Sequence, residues 1–474
     1  MANLRVFATG DLGLDKLPVV RIEYLDAYWF PFTYCSRLSL SKNRYSEEAI
    51  ATMDSHFSPG TLEITGTIIF ACAILHTFST GFFQRIALRY PRHSALWHLL
   101  GEAEIIFGVW AAIFTVLLFC LGESQQVLRY LDSRDVSQPM FCLAIMIMAG
   151  TRAILQASMA AVDALVHLLP LPKGVAFYFC ATALVPLLGS LMTEPGAMAL
   201  AALILGNTVF KTSTPARLKY ATLGILFVNV SIGGVLTSFA APPVVMIASK
   251  WQWDTSFMFL NIGWKAALAV SINAMCGALY FREELETLEH LTTRTKAWVP
   301  LSLMVFNIVM MIGVVRFSQH SLVFMGIFLF FVGVSFAYEE HQDRLMLREG
   351  LLVAFFLSGL VVLGPLQQWW LQPLLSGLGN APIFWGATAL TAITDNAALT
   401  FLGSLIEDMA PDLKYALLTG AVTGGGLTII ANAPNPVGVA ILRRFFPNEV
   451  ISPLGLFLGA LPPTVVAALA FRLL

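Results

Sequence analysis

Residues 425–436 read Gly-Gly-Leu-Thr-Ile-Ile-Ala-Asn-Ala-Pro-Asn-Pro and interrupt a long apolar segment at 413–446. Proline removes a backbone donor and clashes with the preceding helical turn, and paired glycines let the chain bend. Non-helical backbone at membrane depth survives only where protein or a water-filled cavity surrounds it. The pattern therefore predicts a broken membrane helix whose freed backbone groups and amides line a functional site.

The composition places most of the chain in lipid. Hydrophobic residues make up 57% of the 474 residues, charged residues make up 12%, and the mean hydropathy is +0.75. A soluble domain is about half apolar and a quarter charged. With a net charge of −1 and no basic patch, we expect no nucleic-acid partner. The six cysteines form no CxxC pair, and the sequence has no nucleotide-binding, HExxH or Ser-His-Asp motif, so we expect neither a cofactor nor an enzyme.

Two kinds of apolar segment are present. A spanning helix needs about 20 mostly apolar residues. The predicted spans are 62–83, 95–121, 139–168, 217–249 and 255–280, followed by 298–316, 320–338, 349–372, 413–446 and 452–472. The segments 176–208 and 381–407 each carry a polar pair near the middle, which predicts helical hairpins that enter the membrane and return to the same side. The fold class is therefore an all-α polytopic membrane protein.

Short internal matches divide the chain into two halves. Leu-Lys-Tyr-Ala occurs at 218–221 and 413–416, Ala-Thr-Ala-Leu occurs at 181–184 and 387–390, and a glycine pair precedes both Thr237 and Thr428. Five crossings in each half, an odd number, would invert the second half relative to the first, as in many transporters. The predicted organisation is a polar tail at 1–60, a first repeat at 61–280, a polar linker at 281–298 and a second repeat at 299–474.

The hairpin tips and helix breaks hold the polar residues of interest. Asp395 is the sharpest signal, because a carboxylate at the centre of a membrane helix costs about 2.5 kcal/mol or more unless it holds a cation or a proton. The alternative is that Asp395 and Glu194, at the matching tips, only cap helices near the surface. The asparagines of the second break could likewise serve ordinary helix–helix hydrogen bonding. The candidate ion-binding residues are Thr193, Glu194, Thr237, Thr394, Asp395, Asn396, Thr428, Asn432 and Asn435, with Na⁺ expected at Asp395, Asn396 and Asn432.

Other charged residues fall within or beside the spans. Glu102 and Glu104 open the second span, where they would serve a proton relay or lie at the interface. Arg152 and Lys265 lie deep within their spans, so each is expected to pair with one of these carboxylates or to snorkel. Asp163 and Asp343 fit an interfacial position.

Three motifs resemble the ion transporter superfamily, which includes NhaD-type sodium/proton antiporters, ArsB-type arsenite exporters and divalent-anion/sodium symporters. They are the two breaks, 234–243 and 426–435, and the Thr-Asp-Asn tip at 394–396. The resemblance covers residues 60–474 and is greatest to a family described as putative sodium/proton antiporters. It implies a homodimer with a scaffold domain and a mobile domain that carries both hairpins in an elevator-type motion. Glu194-Pro195 departs from the Asp-Asn of the antiporters, and the Ser-Asn-Thr triplets of the anion symporters are absent, which favours a cation.

These observations predict a secondary transporter that exchanges Na⁺ or Li⁺ for H⁺, with Asp395 holding the cation and the protons in turn. The alternatives are sodium-coupled transport of an organic anion or oxyanion by the same fold, and a channel or assembly subunit. We expect a bacterial inner membrane or an organellar equivalent. Lysine and arginine are more frequent in the loops from which the first hairpin would enter, which places that hairpin on the cytoplasmic side and the N-terminus outside. Met53, just ahead of the first apolar run, is a candidate initiating residue.

Overall fold

The computed structural model describes residues 60–122, 124–211, 214–287 and 298–474, and in these ranges the chain is helical with no strand. The predicted all-α class is confirmed. The predicted tail at 1–60, apart from residue 60, and linker residues 288–297 lie outside the described ranges. The α-helices are Thr61–Phe78, Thr80–Arg89, Ser94–Leu100, Ile106–Leu121, Ser124–Asp132, Ser137–Ala149, Arg152–Leu168, Lys173–Phe179, Val185–Met192, Glu194–Thr208, Ala216–Gly233, Pro242–Trp251, Thr255–Met258, Trp264–Tyr280, Arg282–Glu286, Leu301–Arg316, Ser321–Ala337, Leu347–Leu363, Gln368–Leu375, Asn380–Thr391, Asn396–Ser404, Pro411–Gly424, Asn435–Leu442 and Pro453–Leu473. Turns of π-helix at Cys180–Leu184 and Phe259–Gly263 join the helices on either side of them.

Five helical segments in the described ranges are long and apolar enough to cross a membrane, and the number rises to seven if two bent pairs each count as one. The five are Thr61–Phe78, Lys173–Met192, Ala216–Leu236, Thr255–Tyr280 and Pro453–Leu473. Four of them coincide with predicted spans. The exception, Lys173–Met192, is the first arm of the segment that was predicted to be a hairpin. The apolar helices at 106–121, 301–316 and 321–337 also lie on predicted spans but are shorter.

Besides the two spans that were predicted to be interrupted, four predicted spans are not continuous helices, so that part of the prediction was wrong. The segment 62–83 leaves the α-helix at Ser79. The segment 95–121 leaves the α-helix at 101–105. Ser137–Ala149 and Arg152–Leu168 meet at an angle of 63°, and Leu347–Leu363 meets 365–375 at 42°. Pro365 explains the last bend, because it has no backbone N–H to donate to the preceding turn and its ring clashes with that turn.

Two pairs of helices are each joined by a short turn. The first pair is Lys173–Met192 with Glu194–Thr208, and the second pair is Asn380–Thr391 with Asn396–Ser404. In the first pair the chain folds back at Thr193, which brings Gly189 against Ala197, where a Cβ on Gly189 would lie 3.2 Å from the Ala197 Cβ.

The pairs pack crosswise on two interrupted helices. The first break separates Ala216–Gly233 from Pro242–Trp251, and the second break separates Pro411–Gly424 from Asn435–Leu442. Each pair's first arm packs on the helix before the break of its own half. Each pair's second arm packs on the helix after the break of the other half. Thr400 in the second pair, for example, donates to the carbonyl of Pro243 beyond the first break at 3.3 Å.

The C-terminal helix Pro453–Leu473 packs directly on Ala216–Gly233. Gly224 lies against the backbone of Gly459, and Gly459 against the carbonyl of Tyr220, with no room for a Cβ at either glycine. Asn273 reinforces this contact by donating to the Pro463 carbonyl at 3.2 Å. The helix before the first break is therefore fixed at backbone-to-backbone distance.

Candidate functional site

A cavity of about 60 Å³ lies where the turn of the second pair meets the second break. Water occupancy requires only about 10–15 Å³ of such volume, so the cavity can hold a few waters or a partly hydrated ion. Its walls also include the helices Thr61–Phe78, Ile106–Leu121 and Leu347–Leu363 and the 3₁₀ turn Ala103–Ile105. The polar residues in its walls are Thr77, Glu104, Thr394, Asp395 and Asn432.

Asp395 caps the second arm of the second pair. Its Oδ1 accepts hydrogen bonds from the backbone N–H groups of Ala397 at 2.8 Å and Ala398 at 3.1 Å. The capping role that the sequence left as an alternative is therefore present, and the same side chain also lines the cavity. One carboxylate thus stabilises the helix start and faces the enclosed space.

Asn396 is held behind Asp395 by its backbone. Its N–H donates to the carbonyl of Ala431 in the second break at 3.1 Å. The side chain is fully buried, and neither its amide oxygen nor its nitrogen has a hydrogen-bond partner among the described residues. Buried amides without partners are rare in folded proteins, because each costs about 1–3 kcal/mol. They are common at positions that serve a ligand.

The turn of the first pair places Glu194 in the protein interior. Thr193 adopts φ 67° and ψ 154°, a region that only glycine occupies readily and that costs a residue with a side chain about 1–3 kcal/mol. Glu194 is fully buried. Its Oε2 accepts from Asn432 Nδ2 at 2.8 Å, and its Oε1 packs on Gly234 in the first break. The strained turn thereby places the Glu194 carboxylate in contact with both breaks.

Threonines fasten each break to the pair of its own half. Thr237 donates to the Ser190 carbonyl, and Thr428 donates to the Ala392 carbonyl, both at 2.7 Å. Because each hydroxyl proton is donated to a backbone carbonyl, only the lone pairs of the hydroxyl oxygen can bind a ligand. Thr394 likewise donates to Leu390 at 2.8 Å.

Asn435 closes the second break from within. Its Nδ2 donates to the carbonyls of Gly425 and Thr428, both at 2.8 Å. This satisfies two of the carbonyls that the interrupted helix leaves free. The Oδ1 atoms of Asn435 and Asn432 are buried and have no hydrogen-bond partner among the described residues. Amide oxygens such as these, like the carboxylate oxygens of Asp395, are hard ligands of the kind that alkali and alkaline-earth cations prefer.

All nine candidate residues thus belong to the two turns and the two breaks. Three of them, Thr394, Asp395 and Asn432, face the cavity. The sequence did not single out Ser190, whose hydroxyl donates to the Gly233 carbonyl at 2.7 Å and accepts from Leu236 N–H. A serine three residues before the turn, in an otherwise apolar arm, was the available signal. In the described ranges, no group of three or more His, Cys, Asp or Glu side chains is placed to hold a metal ion.

The two cations that were predicted to lie deep within spans have partners other than those predicted. Arg152 pairs with Asp343 at 2.8 Å, and Lys265 donates to the hydroxyl of Tyr415 at 2.9 Å. The expectation that they would pair with the carboxylates of the site was wrong. Asp343 lies on the loop beyond Ser321–Ala337, and that loop returns to the bend at which Arg152 begins its helix. No sequence pattern indicated this proximity.

A bundle of apolar helices with broken segments around an internal carboxylate defines a membrane transport protein. The chain belongs to the family described as "Putative Na+/H+ antiporter", whose model matches residues 61–474. This family consists of integral membrane transporters and not of enzymes. No curated protein matches the chain.

Proposed function

We propose that this protein is a secondary transporter that exchanges Na⁺, or Li⁺, for H⁺. The observation that carries the proposal is the meeting of two carboxylates at the helix breaks. Glu194 and Asp395 come from the turns of different pairs and are linked through Asn432, which donates to Glu194 and lines the same cavity as Asp395. Family membership supports cation/proton antiport in general.

Asp395 is the residue at which the two cargoes would compete. A carboxylate in a low-dielectric site is costly as a bare anion and is stabilised when either a proton or a metal cation neutralises it. Since one group cannot hold both, binding of one ion displaces the other, and exchange follows without further machinery. Asn396 and Asn432 would supply amide oxygens to the cation, with Thr193, Glu194, Thr237, Thr394, Thr428 and Asn435 completing the surroundings.

The contacts also favour two inverted repeats with re-entrant hairpins. Thr237 with Ser190 and Thr428 with Ala392 make the same bond, with the threonines 191 residues apart and the acceptors 202 apart. Gly233 packs on the Pro186 carbonyl and Gly424 on the Thr388 carbonyl, with the same two spacings. The crosswise exchange of second arms is the packing that a two-fold relation between halves would produce.

An elevator-type motion fits the position of the cavity. One wall consists of the second pair, the second break and Pro242 at the end of the first break, and the other consists of helices Thr61–Phe78, Ile106–Leu121 and Leu347–Leu363 with the turn Ala103–Ile105. A site on the boundary between two such groups can open to either face of the membrane if one group slides against the other. We further propose a homodimer held by the second group, in a bacterial inner membrane or an organellar equivalent.

The alternative of anion transport is less compatible with the turn of the second pair. An anion would bind the free N–H groups at the start of Asn396–Ser404. Asp395 already accepts from two of these groups. An incoming anion would have to displace a carboxylate of the same sign, so we do not propose this function.

Reconstitution tests the exchange directly. Proteoliposomes with an acidic lumen and an internal pH dye receive pulses of NaCl, LiCl, KCl or choline chloride. We expect Na⁺ and Li⁺ to raise the lumenal pH, and Asp395→Asn to abolish the response while the protein still reconstitutes. A wild-type protein without any Na⁺ or Li⁺ response, or a D395N response equal to that of wild type, contradicts the proposal.

A further inference from the structure

Glu104 faces the same cavity as Asp395 but comes from the opposite wall. It lies on the 3₁₀ turn Ala103–Ile105, immediately before the helix Ile106–Leu121. The side chains of both residues line this one cavity, so their carboxylates face a common space. Apart from Thr77, the remaining wall on this side is apolar, with Phe107, Phe356 and Leu357 among its residues, so few polar groups screen the two charges.

The turn that carries Glu104 is held by specific side chains. The interrupted helix leaves the carbonyls of Leu100 and Gly101 free, and His76 Nε2 binds the first at 2.9 Å while Gln84 Nε2 donates to the second at 3.2 Å. Trp110 donates to His76 Nδ1 at 3.1 Å. Because an indole N–H can only donate, Nδ1 accepts and Nε2 carries the proton. Two carbonyls of the break are thus satisfied within the protein.

The helix that follows is fixed against the wall of the cavity. Gly359 in Leu347–Leu363 packs on the backbone of Phe107, and Gly108 packs on the ring of Phe355, with no room for a Cβ at either glycine. Such contacts leave Glu104 little freedom to withdraw from the cavity. Its neighbour Glu102 instead forms an ion pair with Arg348 and is not part of the cavity wall.

A second observation at the cavity indicates a ligand. Asn432 is 1% exposed and lines the cavity that both carboxylates face, and its Oδ1 has no hydrogen-bond partner among the described residues. Two carboxylates across a small cavity repel one another, and an unpartnered amide oxygen beside them adds a third acceptor. A cation relieves all three, whereas an anion or a neutral solute of similar size does not.

We propose that Glu104 is a cation-binding residue, so that the transported ion is held between Asp395 on one wall and Glu104 on the other. The inference rests on the proposed function and adds a ligand from outside the pairs and breaks. When the two walls of the cavity slide against each other, the bound ion would lose its contact with either Asp395 or Glu104. Glu104 would thereby set the affinity for the cation in the conformation that the structure shows.

Carboxyl labelling tests this inference independently of transport. The purified full-length protein is treated with dicyclohexylcarbodiimide, and labelling at Glu104, Asp395 and Glu102 is quantified by peptide mass spectrometry in NaCl, LiCl, KCl or choline chloride. We expect Na⁺ to protect Glu104 and Asp395 with the same half-protecting concentration and to leave Glu102 unaffected. Glu104→Gln should raise the concentration needed to protect Asp395 about tenfold, Glu104→Asp should raise it less, and the matched control Glu102→Gln should leave it unchanged.

The outcomes separate this inference from the proposed function. Protection of Asp395 alone, unchanged by E104Q in a monodisperse protein, overturns the role of Glu104 and leaves antiport at Asp395 in place. Protection of both residues by K⁺ and not by Na⁺ or Li⁺ supports the shared site and overturns the proposed cargo. Protection of neither residue by any of the three cations overturns both.

Discussion

Asn432 Nδ2 donates to Glu194 Oε2 at 2.8 Å and thereby joins the second break to the turn of the first pair, across 238 residues of sequence. The bond is fully buried, and Asn432 also faces the cavity that Asp395 lines. A change in the charge or position of either Glu194 or Asp395 should therefore alter the surroundings of the Asn432 amide.

Removal of this amide should impair both stability and exchange. Asn432→Ala leaves the buried Glu194 carboxylate without its side-chain donor, which we expect to cost about 1–3 kcal/mol and to abolish Na⁺-dependent proton movement. Thermal unfolding in detergent and dye-loaded proteoliposomes measure the two effects. Asn307→Ala is the matched control, since among the described residues the Asn307 amide donates to Leu303 in its own helix, at 2.7 Å, and to no other group. Equal loss of exchange in both variants would argue against a specific role for Asn432.

Two substitutions at Asp395 separate its capping role from its charge. Asparagine can still accept from Ala397 and Ala398, so Asp395→Asn should unfold within a few degrees of wild type and yet show no exchange. Asp395→Ala loses the cap as well, at a cost of about 1 kcal/mol. Melting temperatures and exchange rates of wild type, D395N and D395A, measured under the same conditions, test whether D395N loses exchange alone and D395A loses stability as well. If D395N retains exchange, Asp395 acts only as a cap.

The hydrogen bonds of Thr237 and Thr428 to the two helical pairs should contribute about equally to the exchange rate. Thr237→Val and Thr428→Val each remove one donor and leave the carbonyl of Ser190 or Ala392 unpaired, which costs about 1 kcal/mol. We expect each variant to slow exchange severalfold. Thr208→Val serves as the control, because the Thr208 hydroxyl bonds only within its own helix, at 2.9 Å to Ile204. A control as slow as the two test variants would assign the effect to lost helix stability.

A single methyl group at Gly234 should displace a carboxylate. Its Cβ would lie 2.5 Å from Glu194 Oε1, well inside contact distance, so either Glu194 or the break must move. We expect Gly234→Ala to reduce exchange at least tenfold. Gly326→Ala, where a Cβ meets nothing within 4 Å, should behave as wild type in the same assay. Normal exchange by G234A would show that the position of Glu194 is not critical.

The sequence located the centre of the molecule better than its periphery. Proline and glycine at the breaks, and polar residues within apolar arms at Thr193 and Asp395, have direct backbone consequences that can be read locally. The bend between Ala149 and Arg152 has no proline, and Gly150-Thr151 within an apolar segment did not by itself predict it. Nor did any local pattern predict the pairing of Arg152 with Asp343, which joins two segments 191 residues apart.

The internal matches gave an approximate register only. Ala-Thr-Ala-Leu at 181–184 and 387–390 implies a spacing of 206, whereas the contacts of Ser190 and Ala392 imply 202, a difference of about one helical turn. Short apolar sequence matches can recur by chance in a chain of this composition. They therefore align the two halves less reliably than the hydrogen bonds of Thr237 and Thr428 do. Which oxygens of the site lack partners was also beyond sequence analysis, because it depends on side-chain placement.

The close packing of Gly224 on Gly459 has a consequence for biosynthesis. Pro453–Leu473 is translated after every other helix it contacts, so Ala216–Gly233 must wait in the translocon or the bilayer without the neighbour that later covers its glycine face. The contact at Gly224 therefore forms only after the helix Pro453–Leu473 has been synthesised. Nascent chains stalled before residue 453 should expose Gly224 to lipid and be preferred targets of membrane quality-control proteases.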